Sequence, residues 1–317
     1  MTALFADLLG QDPAVTLLAA ALRRQRLAPA YLFTGPEGVG RRLAALRFLE
    51  GVIAGPEGEP AVRRRLEAGN HPDVLWVEPT YLDKGQLVPA SQALERGVNR
   101  RSPPQLRLEQ IREVSRFLAR RPVEAPGCLV VLEQVEAMAE APANALLKTL
   151  EEPGGGMLLL ISASPEQLLS TIHSRCQRVR FGRLPAESLA RVLASAPPPA
   201  VADTEELLAL AAGSPGALLA HRQQWQSLPE GLVDRLLSLP MAADPFEALA
   251  LARDLTEALD AEQQLWLLTW WQLALWRTLR QPAVLQRLER LRSHLLSYVQ
   301  PRLAWEVALL ELAGLGG

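Results

Sequence analysis

A glycine-rich turn, Gly35-Pro36-Glu37-Gly38-Val39-Gly40-Arg41-Arg42, follows the apolar run Ala30-Tyr31-Leu32-Phe33-Thr34 and precedes a helical pattern from Leu43 to Glu50. In that setting successive backbone N–H groups and a helix N-terminus attract an anion, so Gly35, Gly38, Gly40 and Arg41 are candidate residues of a phosphate-binding loop. A working loop ends Gly-Lys-Ser/Thr, the lysine reaching the β- and γ-phosphates and the hydroxyl holding Mg²⁺. Here Arg41 and Arg42 stand in those two places. Arg41 keeps a charge, but on a bulkier planar fork that does not replace lysine freely, and Arg42 cannot ligate a cation. A second apolar run ending at Leu132 continues into Glu133-Gln134-Val135-Glu136, where a hydrolytic site would carry Asp-Glu. Glu133 can still approach a metal, but Gln134 has no carboxylate with which to activate or orient a water. These departures point away from ATP hydrolysis at this chain's own loop. Weak ATP or ADP binding without turnover and a plain strand-turn-helix with no ligand both fit the residues, and no cofactor is required.

The elements that would position this loop follow from hydrophobic patterning. Apolar runs at Ala30–Thr34, Val74–Val77, Cys128–Leu132, Met157–Ile161 and Val179–Phe181 have strand length and are separated by helical patterns. Continuous short apolar runs between helices predict a parallel sheet covered on both faces, hence an α/β first domain. Pro13 to Arg24 and Leu108 to Arg121 carry apolar residues at three- and four-residue spacing, as amphipathic helices do. Tyr81 to Gln105 is polar and broken by Pro89, Pro103 and Pro104, and reads as a long insertion or mobile loop. After Phe181 the patterns are helical, with a proline cluster at Pro197-Pro198-Pro199, and six of the seven tryptophans fall from Trp225 onward. The expected division is an α/β domain at 1–182, a small helical lid at 183–223 and an all-helical domain at 224–317. Trp266, Trp270 and Trp271 recur with Leu267, Leu268 and Leu275 at helical spacing, as a bundle core would.

At 317 residues the chain is long enough for two or three cores, and 49 % hydrophobic, 21 % charged and 5 % aromatic residues describe a globular protein packed on aliphatic side chains. The N-terminal MTALFADLLGQDPAV has no cationic leader region, and no apolar run is long enough to span a bilayer, so the expectation is a cytoplasmic protein without membrane contact. Cys128 and Cys176 are too few for a four-cysteine metal site or a disulfide framework. A net charge of −2 argues against tight nucleic-acid binding by this chain alone. Any DNA contact should be local or shared with partners. Of the 33 basic residues only Lys84 and Lys148 are lysines, so no single arginine stands out by its type.

The most specific signals are Asn144-Ala145-Leu146-Leu147-Lys148-Thr149-Leu150-Glu151-Glu152-Pro153 and, after it, Thr171-Ile172-His173-Ser174-Arg175-Cys176. With Gly10-Gln11 and His71-Pro72-Asp73, they closely resemble the clamp-loader branch of AAA+ proteins, the bacterial DNA polymerase III family that includes the delta-prime and gamma/tau types. The resemblance runs from the N-terminus to about Ala220. It implies an AAA+ P-loop NTPase-like sheet domain, a helical lid and a C-terminal collar domain that forms the oligomer, in which some of the tryptophans would meet a neighbour.

The resemblance also implies a role for the second motif. In this family the arginine of Ser-Arg-Cys projects into the ATP site of the next subunit, so Arg175, flanked by Ser174 and Cys176, is implied as an arginine finger acting in trans. Gamma/tau types keep an intact loop and acidic pair, and a sensor arginine near Gly213-Ser214-Pro215-Gly216; all three are missing here. That pattern fits the delta-prime type. Many relatives carry a four-cysteine zinc module after the loop helix, yet residues 51–70 contain no cysteine, so neither zinc nor another metal is carried over. The implied partners are gamma/tau-type motor subunits, the delta subunit, the sliding clamp indirectly, and primed DNA through the assembly. The family's equivalent of the Leu108–Arg121 helix tracks template phosphates, which makes Arg112 and Arg116, with Arg120 in step, DNA-contact candidates. A solvated face paired with Glu109, Glu113 and Glu124 fits the same residues. Lys148 is expected on the accessible side of its helix, as an interface residue or a solvated charge. Two other readings stay open: an ATP-hydrolysing gamma/tau-type motor or related AAA+ helicase, and a scaffold that neither binds nucleotide nor donates a finger.

Overall fold

The computed structural model describes residues 3–93, 95–98, 103–196, 202–242, 244–297 and 299–314. The Pro197-Pro198-Pro199 cluster, with residues 94 and 99–102 of the expected insertion, lies outside the described residues. Two compact units emerge: Met1–Pro198 with Gly213–Ala217, and Pro199–Ala212 with Leu218–Gly317.

In the first unit the chain runs α1 (Asp12–Arg23), β1 (Ala30–Thr34), α2 (Arg41–Ala54), α3 (Pro60–Glu67), β2 (Val74–Val77), β3 (Thr80–Asp83), β4 (Gln86–Pro89) and α4 (Leu108–Leu118). It continues through β5 (Leu129–Leu132), α5 (Glu140–Glu151), β6 (Met157–Ser162), α6 (Ser170–His173), β7 (Gln177–Arg180) and α7 (Ala186–Ala194). The five expected strands form one parallel sheet in the order β2-β5-β6-β1-β7. Every residue of β1, β5 and β6 is buried. Their alternate side chains feed two cores. Tyr31, Phe33, Leu159 and Ile161 join Leu18, Phe48 and Leu49 on one face; Leu32, Val130, Leu132 and Leu160 join Ile111, Val114, Leu146 and Leu150 on the other. The Tyr31 and Phe48 rings meet edge-on, 4.9 Å apart.

Two expectations change. The Tyr81–Gln105 stretch contains an antiparallel hairpin, β3 with β4, in which Leu82 faces Leu87. Its turn residues Lys84 and Gly85 both have positive φ, a hairpin geometry most often coded by Asn-Gly, which is why the polar run concealed it. The Leu108–Arg121 helix ends at Leu118. Arg121 precedes Pro122, and a residue before proline is pushed out of the helical region.

Asp73, of the His-Pro-Asp triplet, closes the strand-entry edge of the sheet. Its buried carboxylate accepts the backbone N–H groups of Val123, Glu124 and Ala125 at 2.7, 2.7 and 2.8 Å, pinning the turn that feeds β5. His71 supports it by accepting the Asp73 N–H on Nδ1 at 3.3 Å.

The second unit is helical: α8 (Glu205–Ala211), most of α9 (Pro215–Gln226), α10 (Leu232–Ala242), α11 (Pro245–Ala258), α12 (Ala261–Leu279), α13 (Pro282–Leu295) and α14 (Pro301–Ala313). Asp260 caps α12 with a reciprocal bond to Gln263. Trp270, Trp271 and Trp305 fill its core, and the Trp305 indole N–H is satisfied by Gln264 Oε1 at 3.0 Å. Trp266 is half-buried and donates to His221 Nδ1 at 3.0 Å. No helix among the described residues is long and apolar enough to cross a membrane.

Burial alone would raise the Asp73 carboxyl, but the three N–H donors hold it below its ordinary 3.8. A depressed carboxylate pKa adds stability that is present at neutral pH and lost as pH falls through the folded value. Asp73→Ala should cost about 2–4 kcal/mol in urea unfolding at pH 7. Below about pH 4 the variant's unfolding free energy should fall less steeply with pH than that of the parent, because the linked proton is gone.

Candidate functional site

The loop after β1 is held by side chains distant in sequence. Gln11, almost fully buried, donates from Nε2 to the carbonyls of Val39 (3.1 Å) and Gly182 (2.7 Å), and its Oε1 accepts the Gly182 N–H at 3.0 Å. One amide thereby ties the loop to the exit of β7. From the other side the Ser214 hydroxyl donates to the Glu37 carbonyl and the Gly216 N–H to the Gly38 carbonyl, at 3.0 Å for the latter. Gly38 has φ +72, and a Cβ there would strike the Ala217 nitrogen and the Ser214 hydroxyl, so only glycine fits. The Gly213-Ser214-Pro215-Gly216 stretch, which contains no arginine, clamps the loop through the Ser214 hydroxyl and the Gly216 backbone N–H.

A cavity of about 500 Å³ beside the loop is lined by Gly38, Gly40, Arg41, Arg42, Glu133 and Gln134, among others. The structure brings these sequence-predicted residues together; Gly35 is not among its lining residues. Arg42 does more than fail to bind a cation. Its guanidinium donates to Glu133 Oε1 at 2.9 Å, the same oxygen that accepts the Trp76 indole N–H at 2.9 Å, and it lies 4.7 Å from the centroid of the Trp76 ring. Burial pushes the Glu133 carboxyl up despite Arg42 and the indole bond. The residues present do not fit Mg²⁺: the position that should supply a hydroxyl carries a cation, and that cation holds the carboxylate a metal would need. Arg41 is 8 % exposed, and burial pulls its pKa down against the fields of Glu136, Glu37 and Glu133. Glu136 spends Oε1 on the N–H groups of Ala163 (2.8 Å) and Ser164 (3.3 Å), an anchoring contact the sequence did not announce.

Ser174-Arg175-Cys176 links α6 to β7. Arg175 Nη2 donates to Glu151 Oε1 at 2.6 Å, and Nη1 to the Thr171 carbonyl at 3.1 Å. The Ser174 hydroxyl donates to the same carbonyl at 3.0 Å. Burial drives the Cys176 thiol up to about 12, so it is a protonated packing group rather than a nucleophile. Cys128 and Cys176 are both free. The parallel register sets Tyr31 beside Gln177 and Thr34 beside Arg180. Arg175 therefore precedes β7 at the strand-entry edge of the sheet, whereas the Gly35 loop leaves β1 at the opposite edge. Arg175 is not among the residues around the loop's cavity.

A family model described as DNA polymerase III, delta subunit, matches residues 10–185, more than half of the chain. The chain belongs to that family. A second model, cyanobacterial DNA polymerase III delta prime, C-terminal domain, matches residues 187–312. DNA polymerase III subunit delta' of Pseudomonas aeruginosa is 37 % identical over 239 residues, 70 % of this chain and 65 % of that protein. Its counterpart in Bacillus subtilis is 30 % identical over 185 residues, 56 % of this chain and 50 % of that protein. The match thus spans less than two thirds of either relative. The solved structure of a DNA polymerase III gamma subunit-related protein from Thermotoga maritima superimposes with a TM-score of 0.53 at 18 % identity, covering 96 % of this chain and all of that one. These findings bear out the AAA+-type α/β sheet with a helical C-terminal region and the delta-prime type expected from the motifs.

On this delta-family scaffold the other candidates separate. Arg112 and Arg116 are exposed on α4, and among the described residues neither forms an ion pair. Glu124, offered as a partner for that face, instead pairs with Arg65 at 2.6 Å. Arg120 lies beyond the helix, 5.3 Å from the Phe117 ring. Lys148 is exposed on α5 and borders, with Arg112, a groove of about 510 Å³ floored by the Ser115–Thr149 hydroxyl contact of 2.7 Å. The convergence of Arg112 and Lys148 carried no sequence signal, since 36 positions and a strand separate them. Gln11 and Asp73 were visible only as parts of short motifs.

With Cys128 buried, Cys176 half-buried and both thiols raised by desolvation, iodoacetamide at pH 8 should label the folded chain at least about tenfold more slowly than the urea-unfolded chain, measured by mass spectrometry. Rapid labelling of Cys176 in the folded chain would contradict its assignment as a packing group.

Proposed function

We propose that this delta-prime-type chain is a non-hydrolysing subunit of a DNA polymerase III clamp loader, donating Arg175 in trans to a neighbouring ATPase subunit and helping to place the sliding clamp on primed DNA. One observation carries the proposal: Arg175 stands at the sheet edge opposite the chain's own phosphate loop, partly exposed, while that loop has the Arg42–Glu133 pair where a metal would sit. A guanidinium so placed can act only on another molecule's nucleotide. In a water-poor interface it would stabilise the charge that develops on a transferring γ-phosphoryl group.

Under this proposal the partners are gamma/tau-type motor subunits and a delta subunit directly, and the clamp and DNA through the assembly, in the cytoplasm. Nucleotide at the chain's own loop is dispensable. Residues 1–182 act as the sheet domain, 183–223 as the lid and 224–317 as the collar, and Arg112 and Arg116 face template phosphates without reading bases. The ATP-hydrolysing motor alternative would need an open metal position, which the Arg42–Glu133 pair argues against.

In a reconstituted assembly Arg175→Ala should lower clamp- and DNA-stimulated turnover at the adjacent site by about 10³-fold, the lower end of the range for fingers supplied in trans. Unchanged ATPase and clamp loading would sink the finger role. The isolated chain should show no ATP turnover in a phosphate-release assay; measurable turnover would favour the motor reading instead.

A further inference from the structure

The second half of the long Asn144–Pro153 motif has a use that the sheet and the loop do not explain. Glu151 ends α5, and a carboxylate there faces the negative end of the helix dipole, the unfavourable end for its charge. What compensates it is Arg175, whose Nη2 lies 2.6 Å from Oε1. The two side chains are 52 % and 34 % exposed, so the pair adds little to stability. Its effect is directional. The Thr171 carbonyl holds Nη1 at 3.1 Å and Glu151 holds Nη2, so a long, flexible side chain is fixed at two points of its fork. Each hold comes from a separate element, the α6 turn and the end of α5.

We propose that Glu151 is the positioning residue for Arg175: it sets the direction in which the guanidinium leaves the surface before a neighbour's phosphate arrives. The inference rests on the finger reading given above. Pre-set orientation lowers the entropy lost when the fork meets the developing charge, so it acts on turnover more than on nucleotide binding. The carboxylate need not touch the nucleotide. A glutamine keeps an acceptor oxygen at the same reach, whereas alanine removes the hold.

The test uses the reconstituted assembly with Glu151→Ala, Glu151→Gln, Arg175→Ala and the Glu151→Ala/Arg175→Ala double variant, each checked for an unchanged melting temperature. Glu151→Ala should lower kcat of the stimulated ATPase about five- to tenfold with KM for ATP changed less than about twofold, an effect in the range of coupled neighbouring side chains. Glu151→Gln should restore kcat to within about twofold of the parent. In the Arg175→Ala background the Glu151→Ala change should add nothing. If Glu151→Ala lowers the melting temperature, the Gln variant and the double-variant comparison carry the decision. A normal kcat for Glu151→Ala beside a crippled Arg175→Ala overturns the positioning role and leaves the finger standing. The same loss in both backgrounds assigns Glu151 a task independent of Arg175 and overturns it too. A normal kcat for Arg175→Ala removes the finger itself, and the positioning role with it.

Discussion

The constraint on which the first unit depends is the complete burial of β1, β5 and β6. Neighbouring strands that run parallel cannot be joined by a tight hairpin, so each connection must cross over and lay a helix on one face, and helices on both faces bury the strands completely. The cores that result are separate, one under α1 and α2 and one under α4 and α5, yet they share the same strands through alternate side chains. Parallel direction then fixes which loops meet. Everything that follows a strand collects at one edge: the glycine loop after β1, Glu133 after β5, Ala163 and Ser164 after β6, and Gly182 after β7. Whatever precedes a strand, including Arg175, collects at the other.

At the strand-exit edge, several polar groups of the glycine loop are taken up by the chain's own residues. Arg42 takes up Glu133, Gln11 takes up the carbonyls of Val39 and Gly182, and Ser214 and Gly216 take up the carbonyls of Glu37 and Gly38. Leaving buried polar groups unmade is costly, and these contacts satisfy most of the loop's, while Arg41 Nη1, buried beside them, has no hydrogen-bond partner among the described residues. At the strand-entry edge the chemistry runs the other way. Arg175 is tethered but accessible, and its tether comes from the end of the helix that carries the longest family motif.

Much of the fold was legible because its elements are coded locally. Five apolar runs between helical patterns describe a covered parallel sheet, and all five became strands, offset at most by a residue or two. The β3–β4 hairpin escaped because Lys-Gly is a quieter turn signal than Asn-Gly and the surrounding residues are polar. Arg120 left the α4 stripe because the helix closes at its Ala119 C-cap, an end that periodicity does not mark.

The sequence by itself determined the chemistry available: arginines where a lysine and a hydroxyl would be, a glutamine where a carboxylate would be, and a Ser-Arg-Cys triplet. Residue type alone sets what can carry a proton or ligate a metal. Only the tertiary structure decided how those groups are spent, that Arg42 is consumed by Glu133 and Trp76, that Glu151 engages Arg175, and that Arg175 and the glycine loop lie at opposite sheet edges. Distances of a few ångströms between residues 24 or 91 positions apart depend on strand order and helix placement, and those are settled by which apolar faces bury one another.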